Sequence, residues 1–298
     1  MTSIGRVTHF TVRSSTRGNV QANLQRMSEL QSQMSSGKKI NLASDDPAGT
    51  ADVLRIESEQ RQLDQFSRNA ADGEAWLVTI DSALATALKS VSKARELTVR
   101  GGDGALGDTS RLALAEEMDG IREALLTQAN TTYLGRPVFA GTSGTPAYGP
   151  GVDGAYTFNG VATGSVERTV ASGTTVRVDS LGSAVFGEGD TSVFALLDSI
   201  SATLKAGGDP SDQLAAIDEH MDNLLTEVSS IGARQNQVDS AQNLIEEAQL
   251  TSKTRLSAIQ DVDLAQIFLD LGSQEVAYKG ALGAAAKVLQ PTLLDFLR

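Results

Sequence analysis

Cysteine is absent from the 298 residues, which removes disulfide scaffolds, thiol nucleophiles and thiolate-held zinc or iron–sulfur clusters together. Imidazole is almost as scarce. His9 and His220 are the two histidines, and neither has a partner at metal-ligand spacing, so no metal or other cofactor is expected. Eight Phe, four Tyr and one Trp are the whole aromatic complement, so the sequence predicts cores packed by Ala, Leu, Val and Ile rather than by wide rings. Positive charge is in deficit: 25 Lys and Arg stand against 37 Asp and Glu, a net charge of −12. A surface of that sign repels nucleic acid and anionic lipid, and no nucleic-acid partner is expected. No run approaches the roughly eighteen apolar residues of a membrane span, and the first twenty residues lack the compact apolar stretch and small-residue cleavage site of a secretory leader. The expectation is a protein with no membrane insertion that leaves the cell, if it does, by a route that reads something else.

What is present is helical periodicity. Apolar residues make up 40% of the chain, and near the start Val20, Leu24, Met27 and Met34 keep to steps of three and four, with Gln31 in the one polar slot and Leu30 beside it. This narrow seam predicts a helix that breaks near Ser35-Ser36-Gly37. Asn41 to Gly49 reads as the start of a second helix: Asp45 or Asp46 can accept hydrogen bonds from amides of the first turn, and Pro47 fits the first helical position. The seam that follows runs Leu63, Phe66, Ala70, Gly73, Leu77, Ile80, Leu84, Ala87, Val91, Ala94, Thr98, and five such heptads point to a coiled coil. A helix from Pro47 to Val99 would be about 80 Å long at about 1.5 Å per residue. After the Gly101-Gly102-Asp103-Gly104 break, a shorter helix is expected from about Asp108 to Leu134 on Leu114, Met118, Ile121 and Leu125.

From Gly135 to about Asp190 glycine is frequent, helical periodicity is lost, and short runs such as Pro137 to Ala140, Ala155 to Phe158 and Thr174 to Val178 sit between turn signals. Helix resumes at Thr191 and again after Pro210 on Leu214, Ile217, Met221, Leu224, Val228 and Ile231, then loosens or shifts phase at Gln235 and Gln242. A last arm begins at Asp261 or Asp263 and carries Leu264, Ile267, Leu271, Tyr278, Ala281, Ala285 and Val288 before the tail Leu293, Leu294, Phe296, Leu297. The expected fold is mainly α: an elongated antiparallel coiled-coil rod made by the N- and C-terminal halves, with a small β-rich insert at the distal end. The divisions are 1–44 terminal arm, 45–134 first half of the rod, 135–190 insert, 191–257 second half of the rod and 258–298 C-terminal arm.

The terminal seams are poor in large side chains, and the last arm is dotted with Gly272, Gly280 and Gly283. Helices of that kind are marginal alone, because most helical stability comes from packed partners. The ends are therefore expected to be mobile in the monomer and to order among neighbouring copies. On this reading Leu24, Met27, Met34, Leu264, Ile267, Leu271, Ala281, Ala285, Val288, Leu294, Phe296 and Leu297 are contacts between subunits rather than core. Asp45 and Asp46 read as a cap before a metal pair, since adjacent residues do not face each other on a helix. Gly101 to Gly104 is a turn, lacking the Lys-Ser/Thr of a phosphate cradle. Asn130-Thr131-Thr132 fits a glycosylation tripeptide but is helix-borne. The basic run from Arg6 to Lys39 has no interleaved aromatics and reads as a contact for export machinery or neighbours.

Two stretches carry a family resemblance. Gln33-Met34-Ser35-Ser36-Gly37-Lys38-Lys39-Ile40-Asn41 with Ser44-Asp45-Asp46-Pro47-Ala48-Gly49, and the ending Leu293-Leu294-Asp295-Phe296-Leu297-Arg298 after a Gly/Ala-rich helix, resemble the two ends of the bacterial flagellin superfamily. Ser44-Asp45-Asp46-Pro47 and Tyr133 to Thr142 resemble the members that join hook to filament more than the filament subunits. The resemblance implies a non-enzymatic structural subunit of the flagellum, exported unfolded by the flagellar type III route and extracellular once assembled. It implies as partners copies of itself in a ring, neighbouring hook-associated and filament subunits, and an export chaperone on the C-terminal arm.

Overall fold

The computed structural model describes residues 9–150 and 156–289. In chain order its helices are α1 (His9–Ser36), α2 (Pro47–Gly101), α3 (Asp108–Ala129), α4 (Gly182–Phe186), α5 (Val193–Lys205), α6 (Leu214–Gln260) and α7 (Leu264–Leu289). Three two-stranded antiparallel hairpins lie between α3 and α4: β1 (Thr132–Tyr133) with β2 (Arg136–Pro137), β3 (Tyr148–Pro150) with β4 (Tyr156–Phe158), and β5 (Glu167–Ala171) with β6 (Thr174–Arg177). The chain divides into two compact units, Gln62–Ala248 and a second made of Met1–Arg61 with Gln249–Arg298.

The Gln62–Ala248 unit holds one continuous apolar cluster. Every residue of the α2 seam is buried or half-buried, Leu63 and Phe66 at its start included, and Leu77, Ile80, Leu84 and Val91 are sealed from water. From α3 come Leu114 and Met118, with Ile121 half-buried against them; from α6 come Ile217 and Leu224, with Leu214, Met221 and Val228 packed alongside. The α6 seam does not shift at the glutamines: Ile231, Gln235, Val238, Gln242 and Ile245 continue it in steps of four and three, all buried or half-buried. Gln242 Nε2 donates to Glu74 Oε2 at 2.8 Å and Arg95 Nε to Asp218 Oδ1 at 2.6 Å, so α2 and α6 run antiparallel. An antiparallel α3–α5 pair lies on the same cluster: Arg111 near the start of α3 donates to the Gly208 carbonyl just past the end of α5 at 3.0 Å, and Arg122 farther along α3 pairs with Asp198 in the first half of α5.

The insert is tied to α2 where the helix carries no side chain. A Cβ on Gly73 would come within 3.2 Å of Val178 Cγ1, so the polar-looking gap in the α2 seam is the place where a strand segment comes close. Around it Asn69 Nδ2 donates to the Thr169 carbonyl (2.8 Å) and Arg168 Nε to Asp72 Oδ2 (2.6 Å). The guanidinium groups of Arg168 and Arg136 lie 5.5 and 5.8 Å from the centroid of the buried Trp76 ring.

Two expectations need correction. α3 stops at Ala129, not near Leu134. Asn130 leaves the helix because its side chain mimics a strand neighbour, accepting from Tyr148 N and donating to the Tyr148 carbonyl, both at 2.9 Å. Leu134 and Gly135 then form a hairpin turn with φ of 48° and 77°, the doubly positive geometry of a type I′ turn. Nor is the core free of aromatic packing. Phe139, Tyr148, Tyr156, Phe158, Phe186 and Phe194 contact one another with centroids 5.0 to 6.1 Å apart. A small total was concentrated in the one region that hairpins leave too wide for aliphatic side chains. Tyr148 donates from its hydroxyl to the Gly187 carbonyl at 2.6 Å, and burial pushes its pKa far above the ordinary tyrosine range.

Candidate assembly surface

Among the described residues no group of three or more His, Asp or Glu side chains converges as a metal site. The most deeply buried carboxylate, Asp179, is fully engaged, accepting from both Arg177 nitrogens (2.9 and 3.0 Å) and from Val166 N (2.8 Å). Such an ion pair fixes a loop and has no open position for a reactant. The surface that remains unexplained is apolar, and it belongs to the other unit.

That unit is built on α1 and α7, paired antiparallel. Lys39 N donates to the Gln260 carbonyl (2.6 Å) and Val262 N to the Gly37 carbonyl (3.2 Å), which fixes the two connections side by side. Asp46 Oδ1 accepts from Gly49 N at 2.9 Å and so caps α2 ahead of Pro47, while Asp45 Oδ2 accepts from Asn41 N and Leu42 N at 3.2 and 2.9 Å and closes the preceding turn. The two acids expected to cap divide the task. Asp263 Oδ1 does the same for α7, accepting from Ala265 N at 2.9 Å.

Along the pair, α7 turns Ile267, Leu271, Gln274, Tyr278, Ala281 and Ala285 inward, and α1 turns Val20, Asn23, Met27, Leu30 and Gln33. The α1 stripe differs from the seam expected from sequence: Leu24 is 48% and Met34 41% exposed. The cause is a polar lock. Gln274 Nε2 donates to the backbone carbonyl and Oδ1 of Asn23 at 3.1 and 3.3 Å, so Asn23 takes the inward position and Leu24 is rotated out. Met27, Leu271 and Ala281 are half-buried and Ile267 and Ala285 buried, all within this chain, whereas Leu264 is exposed. Val288 falls within α7; Leu294, Phe296 and Leu297 lie outside the described residues.

α7 has a second apolar face that the sequence reading missed. Ala265, Phe268, Gly272, Val276 and Gly283 recur at helical spacing on the side away from α1, with Phe268 65% and Val276 71% exposed. Leu269 and Leu282 extend it. A Cβ added to Gly272, Gly280 or Gly283 would meet nothing within 4 Å. Glycine inside a helix costs about 0.5–1 kcal/mol relative to alanine, and no contact among the described residues explains three of them. The available signal was that α7 is apolar nearly all round, a property of helices that are buried on every side. The same imbalance marks the whole unit. Ten of its large apolar side chains are exposed and four are buried, against seven and 29 in the Gln62–Ala248 unit, counted over the described residues. Exposed apolar area concentrated in this way marks a contact surface.

A family model described as the bacterial flagellin N-terminal helical region matches residues 7–144, and one for the C-terminal helical region matches 214–297. Flagellar hook-associated protein 3 of Escherichia coli strain K12 is 28% identical over 254 residues, 78% of this chain and 80% of that protein. A flagellin of Listeria monocytogenes is 26% identical over 281 residues, 91% of each chain. The solved structure of a putative flagellar hook-associated protein from Vibrio parahaemolyticus superposes with a TM-score of 0.68 at 24% identity, covering 73% of this chain and all of the other.

Proposed function

The chain belongs to the bacterial flagellin family, and we propose that within it the protein is the structural subunit that joins hook to filament, built in through its terminal helices and without catalytic activity. The single observation that carries the assembly reading is the outward face of α7, where apolar side chains alternate with glycines at which an added Cβ would meet nothing within 4 Å among the described residues. Buried against a neighbouring helix, each large side chain of that face would contribute about 1.5–3 kcal/mol, and the glycines would let backbones approach closely. The likeness to flagellar hook-associated proteins across most of both chains supports the junction over the filament. The subunit is part of the extracellular flagellum. Its partners on this reading are copies of itself in a ring, the adjoining hook-associated and filament subunits, and before export a chaperone covering the C-terminal arm.

The filament subunit is the second reading, favoured by a flagellin match that spans more of the chain. Deleting the gene separates the two. The junction reading expects cells with hooks but no filament and with flagellin released into the medium. Filaments of normal length on the deleted strain overturn it.

A further inference from the structure

Hydrophobic spacing does not single out the way α1 and α7 pair. α7 carries two apolar stripes, the inward one through Ile267, Leu271 and Tyr278 and the outward one through Phe268, Gly272 and Val276. On α1 the observed pairing turns the amide of Asn23 inward and leaves the adjacent Leu24 exposed. A pairing chosen by apolar burial alone would do the reverse. What the observed one gains is polar. Asn23 and Gln274 each sit three residues after an inward apolar side chain, Val20 and Leu271, and both are half-buried. They meet through the two hydrogen bonds that Gln274 Nε2 donates to the carbonyl and Oδ1 of Asn23. A slide of one heptad in either direction sets Asn23 opposite Ala281 or Ile267, whose side chains cannot hydrogen-bond. An amide taken out of water without a partner is costly, whereas a paired one is close to neutral. A single polar pair in an otherwise apolar seam therefore specifies register, at some loss of stability.

We propose that Asn23 and Gln274 are positioning residues for assembly: their hydrogen bonds choose the register and rotation at which α1 meets α7, and so decide that the Phe268–Val276 stripe faces a neighbouring subunit. The use of that stripe rests on the assembly reading above. The choice of register stands on the two amides alone, so either can fail without the other.

The chain has no cysteine, so spin labels can be attached at Gln25→Cys and Ala277→Cys alone, exposed positions on the two helices. Their separation in the full-length protein is read by pulsed electron–electron double resonance, where a slide of one heptad moves the labels about 10 Å along the helix axis. One narrow distance is expected with the native pair. With Asn23→Leu and Gln274→Leu together, helicity should be kept while a second, displaced distance appears. Exchanging the amides, Asn23→Gln with Gln274→Asn, should restore the single distance. In cells lacking the native gene, filaments should be lost with the two leucines and regained with the exchanged amides. Two leucines that keep the native single distance overturn the proposal. So does loss of the helix pairing itself, which would mean that the amides hold the helices together instead of choosing between pairings. A displaced distance with normal filaments upholds the choice of register and removes the outward face of α7 as the assembly surface.

Discussion

At the scale of single residues, burial separates neighbours on one helix. Leu77 and Leu84 are sealed in the α2 seam, whereas Val78 is about half exposed. Leu77→Ala or Leu84→Ala should cost about 2–5 kcal/mol in urea unfolding, and Val78→Ala should stay within about 0.5 kcal/mol; equal losses at all three would show the seam is not the core. His220 sets a pH dependence. Its native pKa lies below the ordinary 6.5 because burial disfavours the imidazolium more than Glu219 and the Thr191 carbonyl favour it. Below about pH 6.5 the unfolded chain therefore binds more protons than the native one. This residue's contribution is complete above that pH and is lost as pH falls through the native pKa. Replacing His220 with Gln should flatten the loss of stability as pH falls below about 6.5, and an unchanged slope would assign it to other groups. The seam residues were legible because strict three-four spacing over five heptads has one interpretation. Leu24 and Met34 were not, because α1 has too few apolar residues to fix its own phase, and the Asn23–Gln274 lock depends on a residue some 250 positions away. The Leu134-Gly135 turn was illegible for a related reason. Its geometry favours Asn or Gly at the first position, and the surrounding structure imposes it on a leucine with φ of 48°.

At the scale of elements, the α1–α7 pair makes a prediction of opposite signs. Gly272 sits in a helix interior where an added Cβ would meet nothing within 4 Å among the described residues, so Gly272→Ala should stabilise the isolated protein by about 0.5–1 kcal/mol, read as helicity retained on heating. The same change should weaken incorporation into flagella if a neighbouring helix lies against that glycine. Stabilisation without loss of incorporation would leave the glycine unexplained and remove the support it gives to assembly. Val276→Asp sharpens the contrast: at an exposed position it should leave the melting curve within about 0.5 kcal/mol of the parent and still abolish the filament. Ile267→Asp, placed in the inward stripe, should disrupt the pair itself. Sequence pattern gave the existence of both helices and the small residues of α7. It did not reveal the second face, because a search for one seam stops at the first stripe it satisfies.

At the scale of the molecule, the two units differ in how their helices are held. The continuous stretch from Gln62 to Ala248 contains the whole connected core, with aliphatic seams, an aromatic cluster and side-chain pairs that cross between helices. In the other unit, side-chain burial amounts to Ile40, Val53, Ile56, Ile267 and Ala285 among the apolar residues described. Local stability follows buried apolar contact, and segments with little of it open with small free energies. Limited proteolysis of the purified monomer should therefore cut first in the helices of the terminal unit and leave a protected product whose ends fall near residues 62 and 248. That product should retain the cooperative thermal transition of the parent, since the core that melts is inside it, and should fail to complement a deleted strain. On the proposed assembly, association would bury the outward face of α7 and stabilise the bound conformation by mass action, so the same helices should resist the protease once built into flagella. Equal resistance of the ends in the free monomer would mean that the pair is stable alone. Assembly would then join two rigid surfaces instead of being coupled to the ordering of the terminal helices.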